Sequence, residues 1–380
     1  MKKNLWLFYN SVFFQHFAYG IIIPTLIIWQ NRNGLSFSEI ALIQSIGLIF
    51  LMISEVPSSF FADKIGRKAS IIAGLVISLL AFTFLIFASN FLFFLLFQIL
   101  FSIGLAFLSG TEEAFLHDLI QNKKILTKHL GSMSASDELG TIFGMLLSSL
   151  LIYSSSITLS FQVAFIALLL ALFFIVLIIV ETSSFDAENS PENKLKKYLF
   201  TKINAALLAF ILIFGLFSER GEMVYQYSFN SQGLSLGSLG FIYLGAKIFS
   251  IIGSKLAHIV EDKIKTHLSL IMSGVLQIIA FAILMTDSII VAVASLCIFF
   301  LSENIFKNIR SSFIIKNSPH QKRATNLSLV SFSSSIVLIF SKLAIGWALD
   351  IWLLYAIISI ITLKVIAMVF LLNKQFIADS

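Results

Sequence analysis

The sequence predicts an all-α integral membrane protein with twelve transmembrane helices in two six-helix bundles. Three observations carry that expectation. Of the 380 residues, 58% are hydrophobic and only 12% are charged, about half the charge of a soluble domain. Apolar runs of about 20 residues recur along the chain, long enough to cross a bilayer and continuous rather than alternating, which excludes a barrel. Lys and Arg gather in every second loop, the charge asymmetry of a multi-pass protein.

The helices are expected at 5–29, 38–60, 69–89, 91–113, 131–153 and 158–180, and again at 203–227, 236–257, 267–286, 288–309, 325–348 and 351–372. Residues 1–180 then form one bundle and 201–380 the other. Between them, "ETSSFDAENSPENKLKKYLF" (181–200) is polar and contains Pro191, the composition of a cytoplasmic linker. The remaining loops, such as "NRNGLSF" and "TDS", are short, so sequential helices are antiparallel neighbours. The opening "MKKNLWLFYN" resembles a signal peptide. Its apolar run continues past Ile28 with no small-residue cleavage site and is expected to be the retained first span.

With the N-terminus inside, inner segments hold 21 of the 26 Lys and Arg residues and outer loops hold one, Arg32. Both termini are therefore expected in the cytoplasm of a bacterial cell, with the chain in its inner membrane. The net charge of +6 belongs to that topology and calls for no nucleic acid. Cys297 is the single cysteine and lies in an apolar run. No disulfide framework, metal set or cofactor motif is present, nor a phosphate loop, a zinc-protease helix or a nucleophile elbow. An enzyme or an ATP-driven pump is not expected.

A faint internal repeat supports the two bundles. "GLSFSEIALIQ" (34–44) follows span one and "GLSLGSLGFIY" (233–243) follows span seven. Between spans two and three stands Ser59-Phe60-Phe61-Ala62-Asp63-Lys64-Ile65-Gly66-Arg67-Lys68. This loop resembles the signature of the major facilitator superfamily, Gly-x-x-x-Asp-Arg/Lys-x-Gly-Arg-Arg/Lys, with Ser59 in place of the leading Gly. The resemblance covers the whole chain. It implies alternating access between inward- and outward-open states, a cavity lined by spans 1, 4, 7 and 10, and a cytoplasmic latch at this loop. Asp63 would accept hydrogen bonds from Arg67 and from the N-terminus of span eleven, and Gly66 would allow the tight turn. Glu55, just before Pro57, is expected to pair within the same gate. "EVPSSFFADKIGRK" with "SGTEEAFLHDL" (109–119) also resembles a group of bacterial drug and small-molecule exporters.

Charged side chains inside spans cost a few kcal/mol each, about 3 on insertion scales, and are functional candidates. Span one carries Gln15, His16 and Tyr19. His16 has two readings, a proton carrier or a hydrogen-bonding partner of another helix. Span four carries Gln98, where proton-driven exporters of the family have Arg, and then Glu112 and Glu113. Neighbouring residues point about 100° apart, so at most one of these acids faces a cavity. The other is expected to meet the lysines of "NKKILTK". Gly140 and Gly144 make a small-residue packing face in span five, without the Pro of the family's antiporter motif. Asp137 and Glu138 precede it and are expected to extend the latch network. Glu219, Arg220, Glu222 and Gln226 crowd span seven, with Glu219, Glu222 and Gln226 spaced to share a face. Span ten carries Glu303 and Lys307, an i, i+4 pair. Glu303 lies about 22 Å into its span and is the leading embedded carboxylate. Lys342 is expected to meet an anion or Glu222, and Lys364 to snorkel or pair locally.

The expected function is proton-coupled export of an amphipathic small molecule by a monomer surrounded by membrane lipid. The alternatives are a proton symporter importing a small polar nutrient, and a transporter-like sensor or lipid-handling protein.

Overall fold

The computed structural model describes residues 2–120, 125–154, 156–179, 221–264, 266–286, 288–317 and 323–372. The 181–200 linker, Lys123, Lys124, Glu219 and Arg220 lie outside them. The described residues form helices and no strand. The first bundle's helices are α1 (Lys2–Ile22), α2 (Leu26–Arg32), α3 (Phe37–Ile65), α4 (Arg67–Ile86), α5 (Phe91–Leu108), α6 (Thr111–Ile120), α7 (Leu126–Ser154) and α8 (Ile157–Val176). They are followed by α9 (Glu222–Ser231), α10 (Leu236–Ile264), α11 (Thr266–Ile283), α12 (Ile289–Asn317), α13 (Arg323–Ile351) and α14 (Leu353–Leu372). Among the described residues, eight helical segments are long and apolar enough to cross a membrane, or nine when α1 and α2 count as one bent span. α11 and α14 contribute shorter apolar helices, Leu268–Ile283 and Leu353–Val369.

Two expected spans are broken. Span one bends by 42° between α1 and α2. Pro24 supplies no N–H to the preceding turn, and Thr25 N bonds Ile22 O instead of reaching back a full turn. The hydroxyl of Ser148 then donates to Ile21 O at 2.9 Å, so the loosened turn keeps its partners inside the bundle. Span four divides at Ser109–Gly110, where Gly110 has φ +71°. α3, by contrast, runs unbroken through Pro57.

The chain forms two compact units. Unit 1 is Met1–Leu35, Ile46–Asn193 and Leu236–Phe241; unit 2 is Ser36–Ser45, Lys194–Ser235 and Ile242–Ser380. In unit 1, α1 packs on α7 and α8, and α4 packs on α5. Helices in lipid gain little from burying apolar surface against one another, so small residues that let backbones touch dominate such seams. A Cβ on Gly140 would collide with Phe13 O, and one on Gly144 with Phe17 O, while the Gly20 Cβ position is filled by Thr141 O. α4 and α5 meet the same way, Gly74 and Gly104 each placing a carbonyl 3.0 Å from the other's Cβ position.

In unit 2, α11 packs on α12 and α14. Its core is aromatic with polar ties. Tyr225 Oη lies 2.9 Å from Ser295 Oγ, and Ser295 donates to Ala280 O at 2.5 Å. Lys364 does not snorkel. It is 0% exposed, donates to Gln277 Oε1 at 2.8 Å, and sits 5.6 and 5.5 Å from the Phe281 and Phe299 ring centres. A buried ammonium is held by hydrogen bonds and ring faces because hydrocarbon offers it nothing else. The first turn of α3 belongs to this unit: Asp350 accepts from Phe37 N at 2.7 Å and Ser38 N at 2.9 Å, satisfying two N–H groups at a helix start.

Two stability outcomes follow. Gly144→Val forces α1 and α7 apart and lowers stability by about 1–3 kcal/mol, read as a lower thermal midpoint in detergent. Gly245→Ala, whose added Cβ meets nothing within 4 Å, leaves the midpoint unchanged. Lys364→Met removes the ammonium that holds Gln277 Oε1 and costs about 1–3 kcal/mol. Adding Gln277→Leu recovers part of that loss, as replacing both partners of a buried pair does.

Candidate functional site

The most concentrated polar cluster of unit 1 lies where α1, α6 and α7 meet. The break at Gly110 makes α6 a separate helix, with Glu112 and Glu113 in its first turn. That turn carries the positive end of the helix dipole and unpaired N–H groups, which favour a carboxylate. Of the adjacent acids, Glu112 is 8% exposed and Glu113 is exposed. Among the described residues Glu112 is the only buried carboxylate. Gln15 lies beside it, and His16, Asp137 and Glu113 lie within electrostatic range.

His16 Nδ1 is 2.7 Å from Asp137 Oδ1. Thr141 Oγ1 approaches the same oxygen at 3.5 Å. Tyr19, one turn beyond Gln15, is 7% exposed and meets Phe101 edge-on at 5.1 Å. The structure thus brings together four residues singled out in the sequence: Gln15, His16, Tyr19 and Glu112. Gln98 stands apart on α5, its amide 3.5 Å from Ser102 Oγ and packed over Gly47. Asp137, expected in the latch network, faces His16 instead, because the glycine seam of α7 turns that residue toward α1. The contact joins positions 121 apart in sequence, and nothing local in either stretch announces it.

The gate loop is a second site. Gly66 adopts φ +116° between α3 and α4, a conformation that side chains resist. Arg67 Nη1 donates to Asp118 Oδ1 at 2.5 Å and to Ala114 O at 2.8 Å. Asp118 on α6 is therefore a partner that the sequence reading, centred on Asp63, passed over. An acid at the inner end of span four, beside an inner loop, was the available signal. Asp63 itself is exposed. Lys64 lies 4.2 Å from the Phe60 ring centre. Lys68 donates to Val176 O at 2.9 Å and Ile178 O at 2.6 Å, a cation on the carbonyls that end α8. Ser59 Oγ donates to the backbone oxygen of Glu55 at 2.7 Å, and the Glu55 side chain is exposed.

In unit 2, Gly221 has φ +62° and α9 begins only at Glu222. Glu219, expected to share a face with Glu222, lies outside the described residues. A Cβ at Gly221 would meet Phe281 at 2.5 Å, so this helix start is packed tightly. Gln226 is fully buried, and Tyr243 lies beside it within electrostatic range of Glu222. Lys342 donates to Gln44 Oε1 at 2.9 Å. Glu303 Oε2 accepts from Asn304 Nδ2 at 3.1 Å, and Arg310 lies within electrostatic range. Asn304 also donates to Ser250 Oγ at 2.7 Å, tying α12 to α10. Burial thus favours Glu112 over Glu303 as the embedded acid.

Comparison with known proteins agrees with this architecture. The model of the Major Facilitator Superfamily matches residues 8–342. An uncharacterized MFS-type transporter, YxaM of Bacillus subtilis (strain 168), is 25% identical over 257 residues, covering 62% of this chain and 61% of that protein. The quinolone resistance protein NorA of Staphylococcus aureus (strain MRSA252) is 25% identical over 223 residues, 57% of this chain and 56% of that protein. The chain thus spans about three fifths of the length of these relatives. The crystal structure of nucleoside transporter NupG superposes with a TM-score of 0.81 at 14% identity, covering 99% of both chains. That of a D-xylose-proton symporter gives 0.73 at 15% identity and 97% of both. At such identities the superpositions show the fold alone. The family model, the helical architecture and the gate loop together establish that this multi-pass membrane protein belongs to the major facilitator superfamily of transporters.

Proposed function

We propose that this chain is a proton-coupled exporter of an amphipathic small molecule, working by alternating access from a bacterial inner membrane. One observation carries the proton coupling: a buried carboxylate, Glu112, at a helix break inside unit 1, flanked by a histidine–aspartate pair. An acid so placed changes its charge at the cost of desolvation, which makes its protonation sensitive to its neighbours and to exposure. The direction is supported by the 25% identity with NorA, a quinolone resistance protein. The gate loop acts as the cytoplasmic latch, with Arg67 and Asp118 closing it within unit 1 and both termini on the cytoplasmic side.

The test uses everted membrane vesicles with an acidic lumen and a pH-sensitive dye. Ethidium, a fluoroquinolone, amino acids and organic acids are added in turn. Proton release on addition of ethidium or the fluoroquinolone is expected, lost in Glu112→Gln and kept in Asp262→Asn, an exposed acid on α10. A response to amino or organic acids alone overturns export in favour of nutrient symport.

For the latch, Arg67→Gln and Asp118→Asn are each expected to slow transport several-fold. Combined, they do little further harm, a coupling of about 1 kcal/mol, as for contacting residues of one network. Strictly additive losses measured in the same vesicles count against the pair as a unit.

A further inference from the structure

A series of contacts ties the first turns of α3 to α13 within unit 2. Asp350 accepts from Phe37 N and Ser38 N. One turn away, Gly346 lies against Phe37 O and Ala41, where a Cβ would collide with both. Lys342 Nζ then donates to Gln44 Oε1 at 2.9 Å, and Ser45 Oγ donates to Ile339 O at 3.2 Å. A glycine, a cap and a hydroxyl are what a helix seam in lipid requires. An ammonium is not.

Lys342 stands at the middle of the apolar stretch Ser334–Ile351, about 13 Å from either end. A lysine at that depth is costly, and Ser45, next to Gln44, ties the same two helices with an uncharged group. Among the described residues no carboxylate pairs with Lys342. Its partner is a neutral amide, and the chemistry of the contact fixes how that amide is turned. An ammonium only donates, so the Gln44 oxygen faces it and the amide NH2 points elsewhere. Lys342 keeps two N–H groups beyond its bond to Gln44, and Gln44 keeps the two of its NH2. Both residues are half-buried rather than sealed. Neighbouring donors of this kind, one of them a full positive charge away from bulk water, suit the two oxygens of a carboxylate. Lipid head groups stay at the interface, far from the middle of a span, so the anion is one that enters the protein.

Resting on the transport reading above and narrowing its cargo, we propose that Lys342 and Gln44 form a subsite for the carboxylate of an amphipathic acid. The carboxylate accepts from Lys342 Nζ and from Gln44 Nε2, while Gln44 Oε1 stays on the ammonium. The Asp350 cap and the Gly346 contact keep α3 and α13 in register, so the two donors remain side by side. No bond is made or broken. The subsite reads the charge of the cargo's polar end and leaves its apolar body to other parts of the protein.

The experiment measures equilibrium binding to the purified full chain in a neutral detergent. The probes are two acids, ciprofloxacin and 2-naphthoate, each set against its methyl ester. The wild-type protein is expected to bind each acid at least about tenfold more tightly than its ester, the scale of a hydrogen bond to a charged group. Lys342→Gln is expected to abolish that preference, and Lys342→Arg, which keeps the cation, to retain most of it. Gln44→Leu, which leaves the lysine in place, is expected to weaken the preference several-fold and carries the comparison if Lys342→Gln does not fold. A wild-type protein that binds the acids no better than the esters overturns the subsite. So does a folded Lys342→Gln or Gln44→Leu variant that keeps the full preference while its thermal midpoint falls, the behaviour of a plain helix tie. Accumulation in everted vesicles judges export separately. Acid binding through Lys342 without accumulation there keeps the subsite and ends export, whereas ethidium accumulation with no preference for the acids keeps export and ends the subsite.

Discussion

Hydrocarbon offers no partner to a backbone N–H or C=O, so every interruption of a helix in this protein must be repaired by the protein itself. Two such interruptions lie among the described residues. Pro24 bends span one, and Ser148 takes up Ile21 O. Gly110 divides span four, and the new helix start carries Glu112. The second of these breaks adjoins an acid. The same opened turn that costs backbone hydrogen bonds supplies a dipole end and free N–H groups to a carboxylate that hydrocarbon would otherwise refuse.

Small residues set the remainder. Gly20, Gly140 and Gly144 bring α1 and α7 into backbone contact, which leaves short side chains on the two helices within hydrogen-bond reach. The His16–Asp137 pair is a product of that seam. In unit 2 the equivalent work falls to aromatic rings and hydroxyls. Tyr225, Phe281 and Phe299 pack around Ser295 and Lys364, and the lysine is tolerated because Gln277 accepts a hydrogen bond from it and the ring faces lie on its flanks.

The gate loop shows how one motif distributes its charges. Arg67 reaches α6 and Lys68 reaches the end of α8, while Lys64 stays with Phe60 on α3. Arg67 and Lys68, adjacent in sequence, thereby join α4 to α6 and α8. A loop that only supplied positive charge to one side of a membrane would need none of these partners. The use of Asp118 and of carbonyls at a helix end reflects the geometry of guanidinium and ammonium groups: a planar fork suits a carboxylate with an adjacent carbonyl, and a compact cation suits convergent carbonyls.

The sequence by itself determined the class, the helical runs of the first bundle and the gate loop. These rest on local quantities: the length of apolar runs, the sign of loop charges, and the Gly, Asp, Arg and Lys spacing at 59–68. It also marked Gln15, His16, Tyr19 and Glu112, because a polar residue in an apolar run stands out wherever it points. Tertiary structure alone decided which of them meet. That Asp137 faces His16, that Arg67 takes Asp118, and that Lys364 is buried are matters of helix rotation and approach. A single charged residue reads the same whether it faces lipid, water or a neighbouring helix, and only the packing of distant segments distinguishes the three.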